Sequence, residues 1–164
     1  MQPFVPILMG SKSDLKHAQV IVDALTRFGI ESQIRIASAH KTPAYLLGLL
    51  SEYEADPRPK VYITIAGRSN ALSGMVDAQV SAPVIACPPP SDAFGGADVF
   101  SSLRMPSGVA PAVVLDAEGS ALVAAKIFGL FDSAIREQVA QHQQQMANKL
   151  RADDAELQSI KHSS

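Results

Sequence analysis

The chain has no tryptophan, one cysteine, aromatic residues at only 5% and charged residues at only 18%. With Cys87 alone, neither an intrachain disulfide nor a cysteine-based metal cluster can be built. With few charges and a net charge of −2, the chain as a whole does not read as a nucleic-acid binder, although a local basic pocket stays open. No apolar run approaches the roughly 20 residues that a membrane-crossing helix needs. The first strand-like run is short and no basic leader precedes it, so no secretory signal is read and a cytoplasmic protein is expected. His17, His142 and His162 are spaced in a way that makes no metal site. The G-x-S-x-G elbow and the GxxxxGK[ST] loop are both missing, which argues against Ser-His-Asp hydrolysis and excludes a P-loop.

What the chain does have is apolar residue, 47% of 164 positions, enough for one domain with a sizeable core. Strand-like and helix-like segments alternate. Strands are expected at Val5–Met9, with Pro6 marking the start, and at Ile30–Ala37, Lys60–Ala66, Pro83–Cys87 and Pro111–Leu115. Helices are expected at Ser13–Phe28, closed by Gly29, and at Thr42–Glu54, Ala71–Gln79 and Gly119–Leu130. Repeated strand–helix units with short connections give an α/β fold: a three-layer, doubly wound, five-stranded parallel sheet of flavodoxin-like type. In such folds ligands bind outside the carboxyl ends of the strands, near the point where strand order reverses. Residues 1–131 make up this unit. Residues 132–160 form an extra C-terminal helix carrying Ile135, Val139, Met146, Leu150 and Leu157. The sandwich is complete without that helix, so a neighbouring subunit is expected to cover it. Residues 161–164 are expected to be a disordered tail. The Pro-, Gly- and Ser-rich stretch 87–111 is long for a connection and reads either as a functional loop or as a surface loop with one short helix.

Three loops fall on the expected ligand edge. After the first strand, Ser11 and Asp14 fit a helix-capping pattern. The same residues also suit a phosphate or sugar: Gly10 admits a ligand to the backbone, Ser11 and Ser13 offer hydroxyls, and Asp14 can accept from a ribose diol. After the second strand come Ser38, Ala39, His40 and Lys41, just ahead of Thr42, a possible N-cap, and Pro43, suited to a first helical turn. Lys41 suits phosphate as a mobile point charge. Both Lys41 and the helix N-terminus disfavour protonated His40, and a neutral imidazole is what a general base needs near pH 7. After the third strand, Gly67 allows close approach and Arg68, Ser69 and Asn70 supply donors, unless Ser69 or Asn70 merely caps the next helix. Cys87 reads as inert core.

The stretches MGSKSD at 9–14, SAHKTP at 38–43, IAGRSNALSGMV at 65–76 and SSLRMPSGV at 101–109 resemble the aminoimidazole ribonucleotide carboxylase and mutase family. The resemblance runs from about Val5 to Leu130. One class rearranges N5-carboxyaminoimidazole ribonucleotide and typically carries SAHR and a histidine-bearing Gly-Ala-rich loop after strand three. The other carboxylates 5-aminoimidazole ribonucleotide (AIR) at C4 with CO2, and SAHK, AGRSN and CPPPSD here resemble that second class. The resemblance implies AIR and CO2 as substrates, no cofactor, no metal and no ATP. It implies His40 as the catalytic proton acceptor, Ser11, Ser13 and Lys41 on the phosphate, and Asp14 on the ribose. Ser38, Gly67 and Ser69 would hold CO2 or carboxylate, with Gly10, Ala39 and Arg68 completing the binding set. It also implies a homotetramer or homo-octamer whose sites include neighbouring subunits. The competing reading is a flavodoxin-like nucleotide-binding module without catalysis. A phospho-acceptor receiver is disfavoured, because Ala66-Gly67 stands where strand three would end in aspartate.

Overall fold

A computed structural model describes residues 1–161. Its five strands are β1 (Phe4–Met9), β2 (Glu31–Ile36), β3 (Tyr62–Ile65), β4 (Val84–Ala86) and β5 (Ala112–Val113), all parallel, in the order β2-β1-β3-β4-β5. This is the doubly wound, flavodoxin-like sheet expected from the alternation of segments, with strand order reversing between β1 and β3. The helices are α1 (Leu15–Arg27), α2 (Pro43–Ala55), α3 (Ala71–Asp77), α4 (Phe100–Leu103), α5 (Ala117–Phe128) and α6 (Ser133–Lys161).

The sheet is buried on both faces, which is why β1 is apolar throughout, β3 carries only Thr64 as a polar residue, and neither alternates. On one face Val5, Ile7, Met9, Ile63 and Ile65 meet Ile21 and Leu25 of α1 and the small residues Ala121, Ala124 and Ala125 of α5. On the other, Leu8, Tyr62 and Val84 meet Leu46, Leu49, Leu50 and Tyr53 of α2 and Leu72 and Val76 of α3. Burial of each such aliphatic side chain contributes about 1.5–3 kcal/mol. Gly29, at φ +70°, takes the left-handed turn that ends α1 and releases the chain into β2.

Pro6 does not start β1 but lies inside it, opposite Gln33 of β2. The Phe4 N–H donates to Pro59 O on the β3 side. The donor missing two residues on therefore faces that side too, ahead of the point where the β1–β3 ladder begins at Ile7–Ile63. Phe4 bridges to Lys60 ahead of it, so the missing donor falls in the gap between that bridge and the ladder.

The tail helix departs further from expectation. Asp132 Oδ1 accepts from the Ala134 and Ile135 N–H groups at 3.0 and 3.1 Å and starts α6. Ile135 and Val139, 5% and 8% exposed, then enter the core beside α1 and α5. The His142 ring stands edge-on to Phe28, with centroids 5.5 Å apart. The start of α6 is thus part of the fold of its own chain, because the α1–α5 layer leaves a gap that two turns of α6 fill. Only beyond it do Met146, Leu150, Leu157 and Ile160 stand exposed. Of the expected disordered tail at 161–164, Lys161 is instead the last residue of α6, and residues 162–164 lie outside the described residues.

The stretch 87–111 is partly helical. A 3-10 segment, Ala93–Val99, leads into α4, and it is kinked at Phe94, Gly95 and Gly96, which all have positive φ. No helix among the described residues is long and apolar enough to cross a membrane.

Candidate active site

The loops after β1, β2 and β3 meet at the carboxyl edge of the sheet, over the point of strand reversal. They enclose a cleft of about 370 Å³. Gly10, Ser11, Ser13 and Asp14 line it from the first loop, Ser38, Ala39, His40 and Lys41 from the second, and Gly67, Arg68 and Ser69 from the third. Ala66 and Leu72 add an apolar floor that the sequence reading did not assign to the cleft. The signal for Leu72 was its place as the second residue of the helix that follows the third loop. A larger cavity of about 660 Å³ opens at the opposite edge, between Met1–Pro3, the end of α1 and the start of α6. It holds none of the residues picked out by chemistry, so the smaller cleft is the candidate site.

Each loop is held by its own hydrogen bonds. In the first, the Gly10 N–H donates to Ile65 O at 3.0 Å, tying the loop to β3. Ser11 Oγ accepts from the Ser13 N–H at 3.2 Å and caps a 3-10 turn, Lys12–Asp14, before α1 begins. The Ser13 hydroxyl lies within bonding reach of Ser11 Oγ (2.9 Å) and Asp14 Oδ1 (3.2 Å). The capping and ligand readings of this loop are therefore compatible: Ser11 caps the turn, while Ser13 and Asp14 sit side by side on the cleft wall.

In the second loop, the Thr42 N–H donates to Ser38 O at 2.9 Å, and the Ser38 N–H donates to Thr42 Oγ1 at 3.0 Å. Ser38 Oγ accepts from the Lys41 N–H at 3.2 Å. Thr42 therefore does not cap α2 with its side chain, as its position suggested, but closes the loop backward. Pro43 occupies the first helical position as expected. The result is a tight turn with His40 and Lys41 exposed at its tip, against the cleft.

In the third loop, Arg68 has φ +59°, an uncommon conformation for a non-glycine residue. Asn70 is 5% exposed and turns away from the cleft. Its Oδ1 accepts from the Ser73 N–H at 3.1 Å and caps α3, and its Nδ2 donates to Ser102 Oγ at 2.9 Å. Of the two readings held open for this residue, the cap is the correct one. Sequence reasoning did not foresee the partners from 101–102, since nothing local in Ser-Ser-Leu-Arg signals a contact some thirty residues away.

Outside the cleft, Cys87 is fully buried, and its thiol is pushed up to about 11 by burial. His17 Nε2 lies 3.3 Å from Cys87 Sγ, and burial lowers the His17 pKa. A neutral thiol beside a neutral imidazole fits the expected inert core. Among the described residues no group of three His, Cys, Asp or Glu side chains is placed to hold a metal ion.

A parallel α/β sheet with a small-molecule-sized polar cleft at its topological switch point defines a flavodoxin-like protein of the ligand-binding kind. Residues 4–149 match the family model described as AIR carboxylase. The chain is 57% identical over 157 residues to a phosphoribosylaminoimidazole carboxylase of Treponema denticola, covering 96% of this chain and 99% of that one. It is 56% identical over 151 residues to a protein of the same name from Archaeoglobus fulgidus, covering 92% and 83% respectively. The crystal structure of Treponema denticola PurE superimposes with a TM-score of 0.94 at 56% identity, covering 95% of this chain and 99% of that one. The chain belongs to the AIR carboxylase family, and the family and fold expected from the sequence both hold.

Proposed function

We propose that this chain carboxylates AIR directly with CO2 to give 4-carboxy-5-aminoimidazole ribonucleotide, a reversible step of purine biosynthesis that uses neither ATP nor a metal. The observation that carries this reading is the meeting of His40 and Lys41 with Ser13 and Asp14 in one cleft. It supports a reading in which a proton acceptor, a phosphate-binding cation and a ribose acceptor lie within the reach of one nucleotide. The names of the relatives support the same chemistry.

The chemistry follows from the substrate. The 5-amino group makes C4 of the imidazole electron-rich. C4 attacks CO2, a C–C bond forms, and the electron pair of one C=O moves onto oxygen. C4 then carries both a hydrogen and a carboxylate, and the ring has lost its aromaticity. His40 takes the C4 proton, and the C–H electron pair restores the aromatic ring. Ser11, Ser13 and Lys41 hold the phosphate, and Asp14 accepts from the ribose hydroxyls. Ser38, Gly67 and Ser69, with Arg68 beside them, hold the carboxylate against Gly10 and Ala39. No step asks the protein to supply more than positioning, charge stabilisation and one proton acceptor.

The direct use of CO2 rests on Lys41 and on the Gly67-Arg68-Ser69-Asn70 loop, which replace the arginine and the histidine-bearing loop typical of mutases. A mutase must release CO2 from an N5-carboxylate and retain it, whereas a direct carboxylase admits it from solution. The test supplies AIR plus bicarbonate and N5-carboxyaminoimidazole ribonucleotide separately, with spontaneous breakdown of the latter measured in parallel. Turnover of AIR is expected. Efficient turnover of the N5 isomer with little of AIR overturns the class assignment and leaves the family intact. The exposed apolar residues of α6 beyond His142 support assembly into a homotetramer or homo-octamer.

A further inference from the structure

We propose that Ser101 is a positioning residue for this reaction, holding the third loop in the conformation that presents Arg68 and Ser69 to the cleft. The inference rests on the functional reading above for the substrate used to test it.

Arg68 needs an explanation. A left-handed conformation at a non-glycine residue persists only where the surroundings over-determine it. Arginine lacks the short polar side chain that lets asparagine or aspartate adopt that conformation with local support. The support comes from outside the loop. Ser101 Oγ accepts from the Asn70 N–H at 3.0 Å and lies 3.2 Å from Arg68 O. The hydroxyl accepts on one side of Ser69, from the Asn70 N–H, and on the other shares its single proton between Arg68 O and the nearer Asp98 O, so it links the backbone on both sides of Ser69. The same oxygen lies 2.8 Å from Asp98 O, which sets its own place at the start of α4. Asn70 is anchored independently through Ser102 and Ser73.

These contacts divide the labour. Asn70, Ser102 and Ser73 are buried, and they dock α4 against α3. Ser101 sits at the boundary between that packing and the cleft, and it alone of the four touches the carbonyl of the left-handed residue. Without its hydroxyl, Arg68 can relax to an ordinary conformation. The peptide between Arg68 and Ser69 then turns, and both side chains lose their aim. The first and second loops, which face the phosphate and ribose, have no bond to Ser101. The loss therefore falls on handling of the carboxyl group and spares nucleotide affinity.

The experiment compares Ser101→Ala and Ser101→Thr with the wild-type enzyme in AIR carboxylation. The readouts are kcat, the KM for AIR, the KM for CO2 and the melting temperature. Misplacement of about 1 Å at a reacting centre costs up to about 100-fold. Ser101→Ala is expected to lose about 10- to 100-fold in kcat, with the KM for AIR within about threefold of wild type. Ser101→Thr, which keeps the hydroxyl, is expected to recover most of the rate. If Ser101→Ala does not fold, Ser101→Cys, with a poor acceptor of similar shape, takes its place with the same expectation. A folded variant without the hydroxyl that keeps wild-type kcat overturns the proposal. So does a parallel loss of kcat and AIR affinity, or a threonine variant no better than alanine. Failure of the functional reading shows separately, as absence of AIR turnover by the wild-type enzyme.

Discussion

The Ser38 N–H donates to Thr42 Oγ1 at 3.0 Å, and this side-chain bond joins a backbone bond, Thr42 N–H to Ser38 O, across the same turn. The two together clamp the ends of the segment that carries His40 and Lys41. A residue placed to cap the following helix is used instead to fix the turn before it. Thr42→Val keeps the branched shape and removes the acceptor, at a cost of about 1 kcal/mol. We expect turnover to fall about tenfold with the fold intact, and Thr42→Ser to stay close to wild type. Steady-state rates of the two variants check this. Equal rates for valine and serine would place the orientation of His40 elsewhere.

The buried Cys87 thiol makes two linked predictions. Because it titrates at about 11, against its usual value of 9.0, it remains protonated at neutral pH and is closed to solvent. Alkylation by iodoacetamide is expected only after unfolding. The folded state also holds this proton more tightly than the unfolded chain does. Its contribution to stability is complete below pH 9 and is lost as pH rises towards 11, by about 1.4 kcal/mol per unit across that window. Denaturant midpoints measured from pH 7 to 11 are expected to fall in that range. Cys87→Ala lowers stability at neutral pH and flattens the alkaline fall. Parallel curves for the two proteins would contradict the assignment.

The two halves of α6 are expected to answer differently to mutation. Ile135 lies in the core, so Ile135→Ala is expected to cost about 2–5 kcal/mol of folding stability. Leu150 is 69% exposed in the single chain, so Leu150→Glu is expected to leave that stability nearly unchanged and to shift the assembly to smaller species. Light scattering and thermal unfolding on both variants separate these effects. A wild-type monomer at micromolar concentration would refute the assembly proposal.

The sheet and the edge that carries the candidate cleft were legible because both rest on local signals. β-branched runs marked β3 and β4, Gly29 marked the end of α1, and the alternation of elements fixed the ligand edge, where His40, Lys41, Ser13 and Asp14 do meet. What was illegible depended on partners distant in sequence. Pro6 lies within β1 at a gap in its pairing with the β3 side, between the Phe4–Lys60 bridge and the ladder that begins at Ile7–Ile63. Ile135 and Val139 looked surplus because the gap beside α1 and α5 exists only in three dimensions. Asn70 could be read as donor or cap until Ser102 and Ser73 were seen beside it. The left-handed Arg68 carried no sequence mark at all, since arginine is not a residue that announces positive φ.

His40 is proposed to remove the C4 proton during carboxylation of AIR, and the most direct measurement compares His40→Asn with the wild-type enzyme. Asparagine keeps much of the shape and hydrogen-bonding capacity of the side chain and removes the base. The absorbance change on mixing each protein with AIR and bicarbonate gives turnover, and equilibrium titration with AIR gives affinity. We predict a loss of turnover of about 100-fold or more, with AIR affinity within a few-fold of wild type. Turnover near the wild-type rate in His40→Asn would contradict the claim.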